Sequence, residues 1–479
     1  MDLHARFVAD VRRAIDNPQL RVLLDDVTGR FVEKRAAAVR AVPEWEAFRD
    51  EARRIKEEAL AHLDRHLLEF ERQVVARGGQ VHWAATADQA RRHVLAIARA
   101  HGVARMVKSK SMVSEEVHLN EWMAAHGIAP VETDFGEWII QLAGERPSHV
   151  IAPAIHKSRG DVGRLFAEKL GIPETDDIET LTREARRHLR REFCSADLGM
   201  SGANFLVAET GTIVVVENEG NARLTTTAPP VHVVLAGIEK VIPRAADLAV
   251  FLALLPRSAT GQPMSSYVSL MTGPRRAGET DGPDELHVVL IDNGRSRLLA
   301  DAAAREALSC IRCGACQNVC PVYRHIGGHA YETVYAGPIG ALVSAHLDRA
   351  GTPPDLPFAS TLCGACADVC PVKIDIPTVL LHLRDQVMRG HLPDQPLPAR
   401  WLQRLAIRAW ASAMASPGRY RLASKLLRLA TRIVVRGGRI RALPGPFGNW
   451  TRFRDFPVPA RKTFHQLWKE RKEGTAGHV

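Results

Sequence analysis

A chain of 479 residues with 46% hydrophobic and 25% charged side chains has the composition of a globular protein of about three domains, which excludes a fibrous or wholly disordered chain. No apolar run, the longest being near Ala245–Pro256, approaches the ~20 residues of a membrane span. The net charge of +10 is concentrated: from Arg400 to Val479 there are 18 Lys or Arg against three acids, while the first 399 residues carry 46 basic and 51 acidic groups.

The N-terminus has Arg12-Arg13 but no apolar stretch behind them, so it reads as neither a secretory nor a twin-arginine leader. A cytoplasmic protein with reduced cysteines is expected. Residues 1–75, rich in Ala, Leu, Arg and Glu, follow a helical rhythm. From Gly78 short apolar runs alternate with helical segments. GQVHWAA, ARMVKSKS and SHVIAP read as strands, and ADQARRHVLAIARAHG and RGDVGRLFAEKLG as helices. Asn204–Asn221 reads as two strands about a turn at Thr210-Gly211, and PPVHVVLAGIEKVIP and ELHVVLIDNG add more. This alternation predicts an α/β layer with a largely parallel sheet over 76–296.

A helix from Arg297 to Leu308 is expected to lead into a cysteine-bearing helical region over 297–390, with a second helix starting near Pro338. Pro-rich His391–Arg400 reads as a linker to a basic helical region, 391–479. There Arg421, Lys425, Arg428, Arg432 and Arg436 recur beside Leu422, Leu426, Leu429 and Ile433. Such a face suits an anionic membrane surface, an acidic partner or plain solvent. No recognised nucleic-acid fold accompanies it, and no nucleic acid is expected.

Seven of the eight cysteines form two motifs. Cys310, Cys313, Cys316 and Cys320 follow C-x2-C-x2-C-x3-C-P, and the last three recur fifty residues on as Cys363, Cys366 and Cys370. The position matching Cys310 is Ser360. A four-iron cube needs one thiolate per iron. Three closely spaced cysteines wrap one cube, and the fourth, before proline, reaches the neighbouring cube. Cys310, Cys313, Cys316 and Cys370 are therefore assigned to one [4Fe–4S] cluster, and Cys320, Cys363 and Cys366 to a second. The second has three thiolates. Either Ser360, water or another group binds its fourth iron, or it is [3Fe–4S]. Zinc is the alternative, but it wants one closed tetrahedron of ligands, which the repeated x3-C-P ending fits poorly. Cys194, outside both motifs, reads as a small buried hydrophobe more readily than as a ligand.

The wide spacing of the motifs resembles the helical ferredoxin domain of succinate dehydrogenase and glycolate oxidase iron–sulfur subunits and of heterodisulfide reductases. KSKSMVSEEVHLNEW (Lys108–Trp122), ETDFGEWIIQLAGERPSHVIAPAIHK (Glu132–Lys157), GANFLVAETGTIVVVENEGNARL (Gly202–Leu224) and PFASTLCGACADVCPVKIDIP, together with the basic tail, resemble the lactate utilization protein B family over nearly the whole chain. The resemblance implies a lactate-utilization domain similar in fold to CoA transferases and ribose-phosphate isomerases. It also implies two clusters on the seven motif cysteines and a role carrying electrons in the oxidation of L-lactate to pyruvate. Two partners are implied: a cysteine-repeat iron–sulfur subunit and a lactate-utilization-domain subunit.

Two other classes of function stay open: direct chemistry on lactate or a related acid by the α/β part, and iron–sulfur regulation. Glu217 and Glu219 lie where CoA-transferase-like folds place a catalytic acid, though turn and surface roles around Gly220 suit them better. Lys108 and Lys110 can meet an anion at a helix whose N-cap is Ser114, or flank a plain solvated helix entry. His325, His329 and His346 lack a metal-binding pattern, and no G-x-G-x-x-G joins a strand to a helix.

Overall fold

A computed structural model of the chain describes residues 3–347, 351–390, 400–434, 438–443, 448–451, 454–460 and 462–475. Two units are distinguished, Met1–Pro396 and Leu397–Val479. The first opens with four helices, α1 (Leu3–Ile15), α2 (Pro18–Arg40), α3 (Trp45–Ala61) and α4 (Leu63–Ala76). Asn17 starts α2 by accepting the Leu20 N–H, and Pro18 at the first helical position loses no bond there. On α3, Trp45, Ala52, Ile55 and Ala59 recur at helical spacing and are buried, so this helix faces the interior.

Six parallel strands form the main sheet: β1 (Gln80–Ala84), β2 (Arg105–Lys108), β3 (Ala129–Glu132), β4 (Leu198–Ser201), β7 (Val231–Gly237) and β10 (Glu285–Ile291). Their order is β1-β10-β7-β4-β2-β3. All of β7 is buried, as is β10 beyond its first residue, which is why both read as near-continuous apolar runs. The chain steps from β2 outward to β3, then back past β2 to β4, so its direction of travel reverses between neighbouring β2 and β4. A second sheet, unforeseen in the sequence, has the order β8-β5-β6-β9, with β5 (Phe205–Val207), β6 (Thr212–Glu217), β8 (Val241–Ile242) and β9 (Tyr267–Met271). The turn at Thr210-Gly211 joins β5 to antiparallel β6, as expected.

Three local expectations need correction. SHVIAP is a loop rather than a strand, because its polar backbone is taken up by side chains of the first cysteine motif: Tyr323 donates to the Ser148 carbonyl at 2.6 Å and Val150 N–H to Gln317 Oε1 at 3.3 Å. The helix expected over Arg297–Leu308 is broken into Arg295–Ala300 and a 3-10 turn, Arg305–Ser309. Asp301 at the break accepts a bond from His382 instead. Ser111, not Ser114, caps the helix Met112–Glu116. The helix expected near Pro338 is Gly337–Leu347.

One apolar core gathers Leu24, Trp45 and Ile55 of the N-terminal helices, Phe205 and Val214 of the second sheet, Phe251 of the helix Leu248–Ala259, and all the motif cysteines except Cys363. The cysteine segment is therefore packed into the body. In the second unit the helices Arg400–Met414 and Pro417–Val434 leave Leu405, Trp410, Leu422, Leu426 and Leu429 exposed. Residues 391–399 and Arg436, and the side chains of Arg432 and Ile433, lie outside the described residues. No described helix is long and apolar enough to cross a membrane.

Candidate metal centre

The two cysteine motifs repeat in backbone as well as in letters. Arg312 and Leu362 both take the left-handed conformation, with φ of 59° and 55°, and Gly314 and Gly364 follow at 75° and 85°. A left-handed non-glycine residue costs on the order of 1 kcal/mol, so two of them at matched positions mark a loop held by something other than local preference. Each loop then enters a short helix, Ala315–Val319 or Ala365–Asp368.

The seven motif thiols fall into two sets by the charges they feel. Cys316 is influenced by Cys310, Cys313 and Cys370, and Cys370 by Cys310. Cys366 is influenced by Cys320 and Cys363, and Cys320 by Cys363. Each set thus draws on both motifs. Burial pushes the Cys313 and Cys366 thiols up to about 12 and Cys370 to about 11. Buried thiols of this kind lose their protons only when a cation compensates the charge. A zinc ion at ~2.3 Å from four sulfurs would draw them to ~3.8 Å of one another. Among the described residues no three cysteine sulfurs lie within 4.8 Å of each other, so they do not form a ready-made site for one zinc ion.

The surroundings supply what an anionic sulfur cage needs. Backbone N–H groups of Arg312, Tyr323 and Ile374 donate to the sulfurs of Cys310, Cys320 and Cys370 at 3.4, 3.5 and 3.4 Å. Such donors stabilise added negative charge and raise a reduction potential. From the N-terminal helices, Arg35 donates to the Val369 carbonyl at 2.9 Å and Arg49 to the Cys370 carbonyl at 3.0 Å. Arg53 reaches the Lys373 carbonyl at 3.3 Å. His149 ties the α/β loop to the first motif. Its Nδ1 accepts the Ile151 and Ala152 N–H groups, both at 3.1 Å, which leaves Nε2–H to donate to Asn318 Oδ1 at 3.1 Å.

Ser360 copies the setting of Cys310. Its Oγ accepts the Leu362 N–H at 3.1 Å, as Cys310 Sγ accepts that of Arg312. Arg384 fixes the same loop by donating to the Ser360 and Pro357 carbonyls at 2.9 and 2.8 Å. Cys194 is exposed on the helix Ile178–Ser195, contrary to the buried position expected. The apolar residues of that helix belong to a different core from the motif cysteines. His325 and His329 bond to the Pro321 and Arg146 carbonyls at 2.7 and 2.6 Å, and His346 packs by Asp301. The described side chains close enough to share a single ion are His101, Glu285 and His287, at the amino end of β10.

Lys108 is no anion site. Its ammonium is held by Glu132 at 2.6 Å, Glu115 at 2.7 Å and Ser114 at 2.8 Å. Glu217 accepts the Ala222 and Arg223 N–H groups at 2.8 and 2.7 Å, a turn role. Glu219 accepts the Phe135 N–H at 3.0 Å. Burial, then the nearby Asp134 charge, pushes the Glu219 carboxyl up to about 7. Both glutamates line a cavity of about 280 Å³ that also meets Lys110, Lys240, Arg312 and Tyr335. Sequence reasoning missed this cavity and the buried network beneath it. There Arg295 pairs with both oxygens of Glu116 at 2.9 Å and with Glu239 at 2.5 Å. Tyr335 donates to Glu116 at 2.7 Å while the Arg312 guanidinium lies 4.4 Å over the tyrosine ring.

Comparison with known proteins adds the family. The LUD domain matches residues 67–291, a 4Fe-4S dicluster domain residues 306–374, and the C-terminal region of lactate utilisation protein B residues 382–473. Lactate utilization protein B of Oceanobacillus iheyensis is 39% identical over 464 residues, 97% of this chain and 96% of the relative. The chain belongs to the lactate utilization protein B family. The Geobacillus kaustophilus relative is 40% identical over 465 residues, with 97% and 96% coverage, and that of Bacillus subtilis 38% over 469, again with 97% and 96%. A crystal structure of a DUF162 family protein from Deinococcus radiodurans covers 48% of this chain and 98% of its own, at 15% identity and a TM-score of 0.27. A lactate-utilization role with iron–sulfur chemistry follows from the family and its dicluster domain.

Proposed function

We propose that this chain carries electrons released in the oxidation of L-lactate to pyruvate, through two iron–sulfur clusters held by its motif cysteines. The observation that carries the reading is the division of the seven motif thiols, five of them buried, into two sets, each drawn from both motifs. Cys310, Cys313, Cys316 and Cys370 hold the first cluster, and Cys320, Cys363 and Cys366 the second. When bound, such clusters supply one-electron carriage. The chain's own groups do the rest: N–H donors to sulfur favour the reduced state, and Arg35 and Arg312 place positive charge beside the first set. The second set, with exposed Cys363, gives the route to a partner. Ser360 stands in the sequence where a fourth cysteine would, so either Ser360, water or another group binds the fourth iron, or this cluster is [3Fe–4S].

On this reading residues 1–75 are a helical region, 76–296 the lactate-utilization domain with a CoA-transferase-like fold, 297–390 the dicluster domain and 391–479 a basic docking region. The partners are a cysteine-repeat iron–sulfur subunit and a lactate-utilization-domain subunit, on the cytoplasmic side. The basic helices add an acidic protein or the inner membrane face. A second reading, direct chemistry on lactate by the α/β part, draws support from the polar cavity beside Cys310. Anaerobically purified protein is the test. Iron and sulfide with lactate-dependent cluster reduction only in the presence of both partners supports electron carriage, whereas zinc alone overturns it. Lactate turnover by the isolated chain with an artificial acceptor would favour the second reading.

A further inference from the structure

The cavity of about 280 Å³ lies where an open parallel sheet is built to take a ligand. Ligands in such sheets sit outside the carboxyl ends of the strands, at the point where the chain's direction of travel reverses. Here that point falls between β2 and β4. Ser109 and Lys110, just beyond β2, line the cavity together with Gly202 and Asn204, just beyond β4. The cysteine segment closes it from the other side with Arg312 and Tyr335.

Its walls are charged in a directed way. Lys240 is 8% exposed and makes no side-chain hydrogen bond or ion pair among the described residues, yet it lines the cavity. Arg312 has a buried Nη1 with no partner, and its Nη2 stands 3.7 Å from Glu239. Lys110 Nζ is also buried without a hydrogen bond, with Glu137 at 3.8 Å. Two buried donor groups without a hydrogen bond, on Arg312 and Lys110, together with the Lys240 ammonium place three cations around one cavity, a wall suited to an anion. Glu219 also lines the cavity, and burial pushes its carboxyl up to about 7, so that near neutral pH it is partly protonated and able to donate.

We infer that this cavity binds a small organic carboxylate bearing a second oxygen, a 2-hydroxy or 2-oxo acid. The carboxylate pairs with Lys240 and Arg312, and the second oxygen faces Glu219. The volume of about 280 Å³ falls just below the roughly 300–1,000 Å³ range for ligand pockets, which suits a small acid with water rather than a dinucleotide. The site lies beside the first thiol set: Cys310 acts on both Lys240 and Arg312. The carboxylate site stands on the cavity's own residues, and the choice of a 2-hydroxy or 2-oxo acid rests on the lactate-utilization reading.

Calorimetric titration of the anaerobic full-length protein with L-lactate, pyruvate and inorganic phosphate tests it, with iron and sulfide measured on each sample. One-to-one binding of lactate or pyruvate is expected, with phosphate weaker by on the order of tenfold. Lys240→Met and Lys240→Gln should each weaken the carboxylates on the order of tenfold at unchanged iron content. Glu219→Gln covers the case in which a Lys240 variant fails to fold, and should alter the discrimination between lactate and pyruvate. No binding of either acid, equal binding of phosphate, or affinities indifferent to all three variants would overturn the site. Iron content that is absent while binding persists would count against electron carriage and not against the site.

Discussion

The Ser360 hydroxyl accepts the backbone N–H of Leu362 at 3.1 Å, in a loop that repeats the one Cys310 occupies fifty residues earlier. The exchange of sulfur for oxygen is therefore local: backbone, left-handed residue and following helix are all kept. Ser360→Cys should restore a fourth thiolate and give about eight irons per chain in two [4Fe–4S] clusters. Electron paramagnetic resonance of the oxidised variant should then show no [3Fe–4S] signal. Persistence of such a signal in the variant would show that residue 360 does not reach the cluster.

The two thiol sets also make a prediction that simple reading along the chain reverses. Cys370→Ala, in the second motif, should remove the first cluster, and Cys320→Ala, in the first motif, the second. Each should lower iron by about half. If each variant instead lost the cluster of its own motif, as followed by the spectrum of the remaining one, crossed ligation would be wrong.

How much of this was legible in the letters depends on what each residue does. VVVEN, in the second sheet, and VHVVLAG and ELHVVLI, in the main sheet, announced strands because β-branched residues fill their buried positions. The short strand β3 stayed hidden: it lies at the sheet edge, where Pro130 is tolerated. In β4, Gly199 lies against the Thr225 carbonyl, so no side chain there signals a strand. SHVIAP misled because its apolar residues pack on the cysteine segment instead of on neighbouring strands. The gathering of the cysteines could be read from spacing, but the cavity could not. Its walls come from loops, strand β6 and helices spread between Ser109 and Tyr335, and no local pattern joins them.

The buried network at Arg295 should be among the most sensitive points of the body. Arg295→Met leaves Glu116 and Glu239 inside without their shared cation, at a cost of about 3–5 kcal/mol. Gly237→Ala attacks the same place sterically, because an added Cβ would overlap the Glu239 carboxylate and the Arg295 guanidinium. About 1–3 kcal/mol is expected. Urea midpoints compared with those of an exposed control such as Arg65→Met should reveal both, and midpoints equal to the control would refute the network's role.

Acid sensitivity should trace partly to His149. Burial, followed by the Lys110 charge, drives its imidazole down to about 3, with Asn318 opposing. Between pH 6.5 and 3 the unfolded chain binds a proton that the folded imidazole refuses, so stability is full above about 6.5 and declines as pH falls. About 2 kcal/mol should be lost between pH 6.5 and 5 through this residue. Thermal melts at both pH values should show a shallower decline for His149→Gln than for the parent chain. Parallel declines would assign the effect elsewhere.

The bonds from Arg35, Arg49 and Arg53 to the second motif join residues 318 to 334 positions apart. At roughly 5–20 residues per second, a ribosome needs tens of seconds to deliver the carbonyls these arginines grasp. During that wait the newborn helices carry uncovered Trp45, Ile55 and Leu24. Nascent chains stalled before residue 366 should therefore engage a chaperone that chains released past residue 380 no longer need.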